Sequence, residues 1–274
     1  MGAVAVLAAC ALLALITSAW LVHRRSRDRM YSELVDRTRH LAATDSSSAE
    51  LGLIDARPPT RVFTEQRFVS VQAALNEPTF RRLREEALAN LHRLEASYIP
   101  GHKQGHTLAY EHILRHAPRL LGLYRDTRLH AWLLTLTGTA VEPTPVQDQS
   151  SLSILCYQAA GDHIGWHYDH NFYRGRHFTV LLTLVNRGAD GRLSHSRLER
   201  RLPDGSTEVV HGHENSLVVF EGTKVRHRVT PCDAGDLRVV LSMTFCDDPR
   251  TTPVKEAARR VKDVAFFGAR ALWD

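Results

Sequence analysis

The stretch Trp166-His167-Tyr168-Asp169-His170 places an imidazole and a carboxylate two residues apart. On an extended strand, side chains at that spacing share one face. A bare His-x-Asp match is weak in a chain with sixteen histidines, eleven of them after residue 110, so the surrounding pattern has to carry the argument. A further histidine, His227, follows the apolar run 216–220 and the turn at Glu221-Gly222, and Arg238 stands inside the apolar stretch 237–241. An arginine there is costly unless an anion pairs with it. Two histidines and one carboxylate on one side of a metal leave three positions open, a set suited to non-haem Fe(II) that binds a cosubstrate and O₂. A guanidinium fork nearby would grip a carboxylate through two parallel hydrogen bonds.

Such residues need strands to bring them together, and the second half of the chain supplies them. Short apolar or alternating runs at 151–158, 177–185, 209–211, 216–220, 225–230 and 237–245 are each followed by turn residues, which predicts a sandwich or barrel of about eight strands. Pro203-Asp204-Gly205 suits a hairpin tip, and the charged segment 187–211 reads as an elaborated hairpin. Upstream, helical spacing predicts helices over 78–96, 107–124 and 128–136, the last ending near Gly138. Pro143 and Pro145 mark a boundary, and a final helix follows Pro253. Residues 41–60, with Ser46-Ser47-Ser48 and Pro58-Pro59, read as a polar tether.

Residues 150–246 resemble the Fe(II)/2-oxoglutarate-dependent oxygenases, and within them the prolyl-4-hydroxylase-like branch. The resemblance rests on Leu155-Cys156-Tyr157, Gly161, His167-Tyr168-Asp169, Arg176-His177-Phe178-Thr179, Leu184-Val185-Asn186, the run 216–220 followed by His227, and Arg238-Val239-Val240-Leu241-Ser242. It implies an α+β fold: a double-stranded β-helix (jelly-roll) core over 146–250 with supporting helices over 61–145 and a C-terminal helix over 251–274. It also implies Fe(II) bound by His167, Asp169 and His227, with Arg238 on the distal carboxylate of 2-oxoglutarate and Tyr157 hydrogen-bonded to that cosubstrate. Thr183 stands where relatives often carry a cosubstrate-touching tyrosine, and Trp166, His170 and Arg176 adjoin the triad as substrate-pocket candidates. The implied reaction consumes 2-oxoglutarate and O₂, with ascorbate as a possible reductant, releases succinate and CO₂, and hydroxylates a small-molecule, lipid or peptide substrate. Two alternatives remain: a cupin-like metalloenzyme using His211 and His213 without 2-oxoglutarate, and a non-catalytic binding module on the same fold.

Composition bounds the rest. Hydrophobic residues at 43% and charged residues at 24% exclude wholesale disorder, a collagen and a polytopic membrane protein. Four cysteines in 274 residues exclude a disulfide scaffold. The net charge of +5 does not indicate nucleic acid, because residues 23–40 hold six arginines against Asp28, Glu33 and Asp36 and so concentrate the excess. Residues 3–22 carry no charge, and twenty helical residues span about 30 Å, the thickness of a hydrocarbon core. This predicts a single N-terminal transmembrane helix over 1–22, a basic juxtamembrane segment and linker over 23–60, and a cytoplasmic catalytic domain. The alternatives are a cleaved signal cut near Ala19 and a buried helix of a soluble protein.

Overall fold

The computed structural model describes residues 2–45 and 57–267. The polar tether expected at 41–60 falls mainly on residues 46–56, outside the described residues. Helix α1 (Gly2–Asp45) is continuous. Its middle docks through the buried Tyr31 and Val35 on the helical layer that precedes the sheet. That layer comprises α2 (Thr60–Gln66), α3 (Glu77–Ala89), α4 (Tyr110–His116), α5 (Pro118–Arg125) and α6 (Thr127–Thr137). Asn76 caps α3 by accepting from the Thr79 N–H at 2.9 Å, and Asp126 caps α6 by accepting from the Arg128 N–H at 2.8 Å. Gly138 closes α6 in the left-handed conformation.

The expected transmembrane anchor requires correction. Among the described residues, no helix is long and apolar enough to cross a membrane. The apolar N-terminal run is instead the opening of a 44-residue helix, whose later turns carry Arg24, Arg25, Arg27, Asp28 and Arg29 and pack against the domain. The single-pass assignment, with its juxtamembrane segment, is therefore withdrawn.

The single helix expected over 107–124 is also different. Residues 103–108 form a strand, and Pro118, which cannot donate a backbone hydrogen bond, begins a second helix after α4. The strands are β1 (Phe68–Val71), β2 (Glu95–Ile99), β3 (Lys103–Leu108), β4 (Glu142–Pro143), β5 (Leu152–Tyr157), β6 (His163–His167), β7 (His177–Arg187), β8 (Leu198–Arg201), β9 (Thr207–Val210), β10 (Leu217–Glu221), β11 (His227–Val229) and β12 (Leu237–Cys246). They join antiparallel in the order β1-β10-β7-β12-β5-β3-β6-β11-β8-β9, with β2 beside β3 and β4 beside β12. This curled antiparallel sheet with its helical cover fits a jelly-roll core. The β8–β9 hairpin turns at Pro203-Asp204-Gly205 as its composition requires. Helix α7 (Pro253–Phe267) brings Lys262 and Phe266 into the lining of the barrel's cavity.

The core lies between the helices and the outer face of β5, β7 and β12, where Leu133, Leu136, Phe178, Leu182, Leu241 and Phe245 are all fully buried. A second apolar cluster, including Tyr157, Leu181, Phe220 and Val240, lines the barrel interior. Alternation along β7 and β12 thus sends one set of side chains to the helices and the other toward the site.

Candidate active site

Antiparallel pairing of β11 with β6 sets His227 directly opposite His167. The chain leaves β6 two residues before Asp169, whose N–H donates to the Gly222 carbonyl at 3.0 Å. The turn joining β10 to β11 therefore fixes the carboxylate beside both imidazoles. Gly222 makes room for it, since a Cβ at that position would lie 2.5 Å from Asp169 Oδ2. Asp169 Oδ1 is 3.6 Å from His167 Nε2 and 3.7 Å from His227 Nε2, and one ligand atom from each residue falls within 4.8 Å of the others.

The donor set fits a divalent metal. His167 Nδ1 is 2.8 Å from the Gly165 carbonyl and His227 Nδ1 is 3.0 Å from the Val225 carbonyl. Those contacts hold the proton on Nδ1 and leave each Nε2 lone pair for a metal. The Thr179 hydroxyl donates to Asp169 Oδ2, leaving Oδ1 turned to the imidazoles. Burial, and then the neighbouring His227, lower His167 to about 4, so it is neutral and ligand-competent at ordinary pH. Burial alone would raise the Asp169 carboxyl, but His227, His167, His177 and the Thr179 hydroxyl together hold it below its usual range.

The triad opens into a cavity of about 1120 Å³ including its mouth, lined also by Tyr157, His170, Arg238 and Lys103. Arg238 is 3% exposed and pairs in register with Tyr157 across β5 and β12, its guanidinium 5.6 Å from the Tyr157 ring centre. Among the described residues no carboxylate pairs with Arg238. Its near neighbour Asp236 instead accepts backbone N–H groups of His195 and Asp233 at 2.8 and 3.0 Å. Burial lowers the Arg238 pKa from its ordinary value and pushes the Tyr157 hydroxyl up to about 12, so tyrosine remains a hydrogen-bond donor.

Three other sequence candidates stand apart from the cavity lining. The Trp166 ring is covered by Arg201, Arg226 and Arg228 at 4.6, 5.8 and 4.7 Å. Arg176 is tied to Glu221 at 3.0 Å. Thr183 is buried against Ser216, hydroxyl to hydroxyl at 3.2 Å. His211 and His213 are exposed in the segment after β9, and they form no metal-competent cluster among the described residues.

Sequence reasoning missed Lys103, Thr179, Lys262 and Phe266. Thr179 was visible as the end of Arg176-His177-Phe178-Thr179, two residues from the start of a strand. Lys103 was not, because residues 95–108 show no clean alternation around Gly101 and Gly105.

Neither a protein-family model nor a curated protein matches the sequence. Solved structures do. One is the epimerase SnoN in complex with Fe³⁺, alpha ketoglutarate and nogalamycin RO, with 12% identity over 72% of this chain and 85% of that one and a TM-score of 0.57. A second is a Pseudomonas putida prolyl-4-hydroxylase, with 17% identity over 69% and 96% and a TM-score of 0.51. A third is a Trichoplax adhaerens prolyl hydroxylase in complex with a hypoxia inducible factor peptide fragment, with 13% identity over 81% and 94% and a TM-score of 0.56. The chain therefore has the fold of the 2-oxoglutarate–Fe(II) oxygenases, including those of the prolyl-hydroxylase kind.

Proposed function

We propose that this protein is an Fe(II)/2-oxoglutarate-dependent dioxygenase that hydroxylates an unactivated C–H bond of a small-molecule or peptide substrate. The observation that carries the reading is the placement of Arg238, buried and without a carboxylate partner among the described residues, in the same cavity as the His167, Asp169 and His227 ligand set. A buried guanidinium without an anion is costly, and a diacid that reaches from it to the metal removes that cost. The neighbours that share the fold act on, or were captured with, ligands as different as a nogalamycin compound and a peptide, which supports the chemistry and leaves the substrate open.

In this reading His167, Asp169 and His227 hold Fe(II) through Nε2, Oδ1 and Nε2, leaving positions for cosubstrate and O₂. Arg238 grips the distal carboxylate of 2-oxoglutarate in bidentate fashion, and Tyr157 donates a hydrogen bond to it. When bound, the metal with its cosubstrate supplies the oxidising power, releasing succinate and CO₂ as the substrate is hydroxylated. The protein's part is to orient the diacid, keep both histidines in the ligand-competent tautomer and exclude water through the apolar barrel wall. No protein general base is required.

The test is succinate release by the full chain with Fe(II), 2-oxoglutarate and ascorbate, which uncoupled turnover reveals without the substrate. Wild type is expected to turn over, and Asp169→Ala and Arg238→Ala to lose it. Full turnover in Asp169→Ala removes the proposal.

A further inference from the structure

One cation in the cavity has no role in that reaction. Inward-facing positions of β3 are Lys103, Gly105 and Thr107, all buried, while Gln104 and His106 between them are half-buried. Lys103 is 4% exposed and lines the same cavity as the triad and Arg238. It pairs in register with Ile164 on β6, three residues before His167. A buried ammonium without a counter-charge is unfavourable, and among the described residues no carboxylate pairs with it. Its contact there is the face of Phe266 from α7, 4.7 Å from the ring centre.

Lys262, on the same cavity wall, shows what a satisfied lysine looks like. Its ammonium meets Asp148 and Asp263, each at 2.8 Å, and the Ser150 hydroxyl at 2.7 Å. Asp148 in turn accepts from the Tyr173 hydroxyl at 2.8 Å, and Arg259 is held by Glu256 and Asp263. The acids on this side of the cavity are thus already engaged. Burial, and then the like charge of Lys262, lower Lys103 to about 7, as expected of a cation with no counter-ion among the described residues.

We infer that Lys103 is a substrate-recognition residue that holds the single carboxylate of an organic acid with an apolar body. The two ends of a bound keto-diacid are accounted for by Arg238 and the metal, so Lys103 is left for a third anionic group. A lone ammonium is a point charge that matches a monoanion, whereas phosphate sites usually bring a guanidinium fork or several backbone N–H groups. The apolar body follows from the surroundings: Ile164, Phe172, Leu181, Val229 and Phe266 line the same space. The inference deepens the oxygenase reading by naming the class of its substrate. Binding of the acid at Lys103 can nevertheless be measured without turnover.

A structural role is the competing explanation. The Phe266 carbonyl, in the last turn of α7, accepts from the Ser97 hydroxyl at 3.0 Å, and a lysine near a helix C-terminus can stabilise that end. A lysine of that kind lowers the melting temperature when it is replaced. A recognition lysine held at a stability cost raises it.

The experiment uses the full chain with Mn(II) and saturating 2-oxoglutarate under argon, so that Arg238 is occupied and no turnover occurs. Octanoate and octanamide are then titrated calorimetrically. Octanoate is expected to bind wild type at least about tenfold more tightly than octanamide, since one charge-assisted contact in a dry site exceeds 1.4 kcal/mol. In Lys103→Met it is expected to fall to the octanamide level, while octanamide still binds, and the melting temperature without ligand is expected to rise. Equal binding of acid and amide to wild type overturns the inference, as does undiminished octanoate binding by Lys103→Met or a lower melting temperature for that variant. The preceding titration of 2-oxoglutarate into wild type and Arg238→Gln tests the oxygenase reading separately. If 2-oxoglutarate fails to bind, that reading falls, and the acid–amide comparison is decided with Mn(II) alone.

Discussion

The two walls of the barrel are built differently. On one side β7 and β12 run eleven and ten residues, pair over ten register positions and are buried on both faces beneath the helices. On the other, β6, β11 and β8 are only five, three and four residues long, and every residue of β6 is half-buried. The long wall is a packed scaffold whose residues are chosen for volume. The short wall carries the two histidines, His167 half-buried and His227 buried, and both line the cavity. The division is not complete, because Arg238 places a charge in the packed wall and Lys103 places another on the strand that joins the two. The buried threonines of the packed wall find protein partners, Thr179 in Asp169 and Thr183 in Ser216, whereas Arg238 has no carboxylate partner among the described residues.

The largest effect separates the walls directly. Asp169→Ala is expected to lower succinate release by at least about 1000-fold, since one of three protein ligands is gone, with little change in melting temperature. Leu241→Ala in the packed wall, fully buried, is expected to cost about 2–5 kcal/mol of stability while each folded molecule keeps its turnover. Urea titration alongside succinate release reads both, and the contrast between walls fails if Asp169→Ala unfolds as readily as Leu241→Ala. Next comes Arg238→Gln, for which the apparent KM for 2-oxoglutarate is expected to rise by the equivalent of about 2–5 kcal/mol, with no loss of stability in the ligand-free protein. A destabilised Arg238→Gln would make this arginine part of the scaffold.

The packed wall was readable in the sequence because its signal is continuous: residues 177–185 and 237–245 are apolar runs, and the structure extends them only to Arg187 and Cys246. Strand periodicity singled out His167 and Asp169, but β6 ends at His167 and the carboxylate is placed instead by the Asp169 N–H on the Gly222 carbonyl. What was not readable came from contacts distant in sequence. Strand β3 lies between β5 and β6, yet its own residues, Lys-Gln-Gly-His-Thr-Leu, alternate too weakly to announce a strand. The run 107–124 looked like one helix because leucines recur at helical spacing, and Pro118 was the break. The apolar run at 3–22 looked like a membrane span because the arginines after it suit a juxtamembrane cluster, whereas the structure carries them on the same continuous helix, which docks through Tyr31 and Val35. Thr183 and Thr179 lie four residues apart on one strand, and only the cavity distinguishes them.

Lys103 offers the next test, through pH. Its ammonium titrates near 10.4 in an unfolded chain and near 7 in the fold. Between those values the unfolded chain holds a proton that the native state lacks, so this group makes stability rise with pH across the window. Below about pH 7 both states are protonated and the cost of the buried charge is complete. Above about 10.4 both are neutral and the cost disappears. Lys103→Met is therefore expected to exceed wild type by a few kcal/mol at pH 6, with the margin shrinking steadily toward pH 9.5. A margin that grew with pH, or that changed sign at pH 6, would show that an acid already pairs with this lysine.

The smallest effect compares the two threonines of β7. Both are buried, at 5% and 2% exposure, and both hydroxyls are hydrogen-bonded, Thr179 to the Asp169 carboxylate and Thr183 to Ser216. Valine matches threonine in shape, so each substitution removes a hydroxyl without opening a cavity. In Thr179→Val, Asp169 loses the bond that turns Oδ1 toward the imidazoles, and Co(II) affinity is expected to fall about 10–100-fold, the usual consequence of deleting a partner that orients a metal ligand. Thr179→Ser keeps the hydroxyl and should restore most of it. Thr183→Val leaves the triad untouched, so its Co(II) and 2-oxoglutarate affinities are expected to match wild type. A weakened 2-oxoglutarate affinity in Thr183→Val would return that residue to the cosubstrate, and would mean that the packed wall contributes more than Arg238 to holding it.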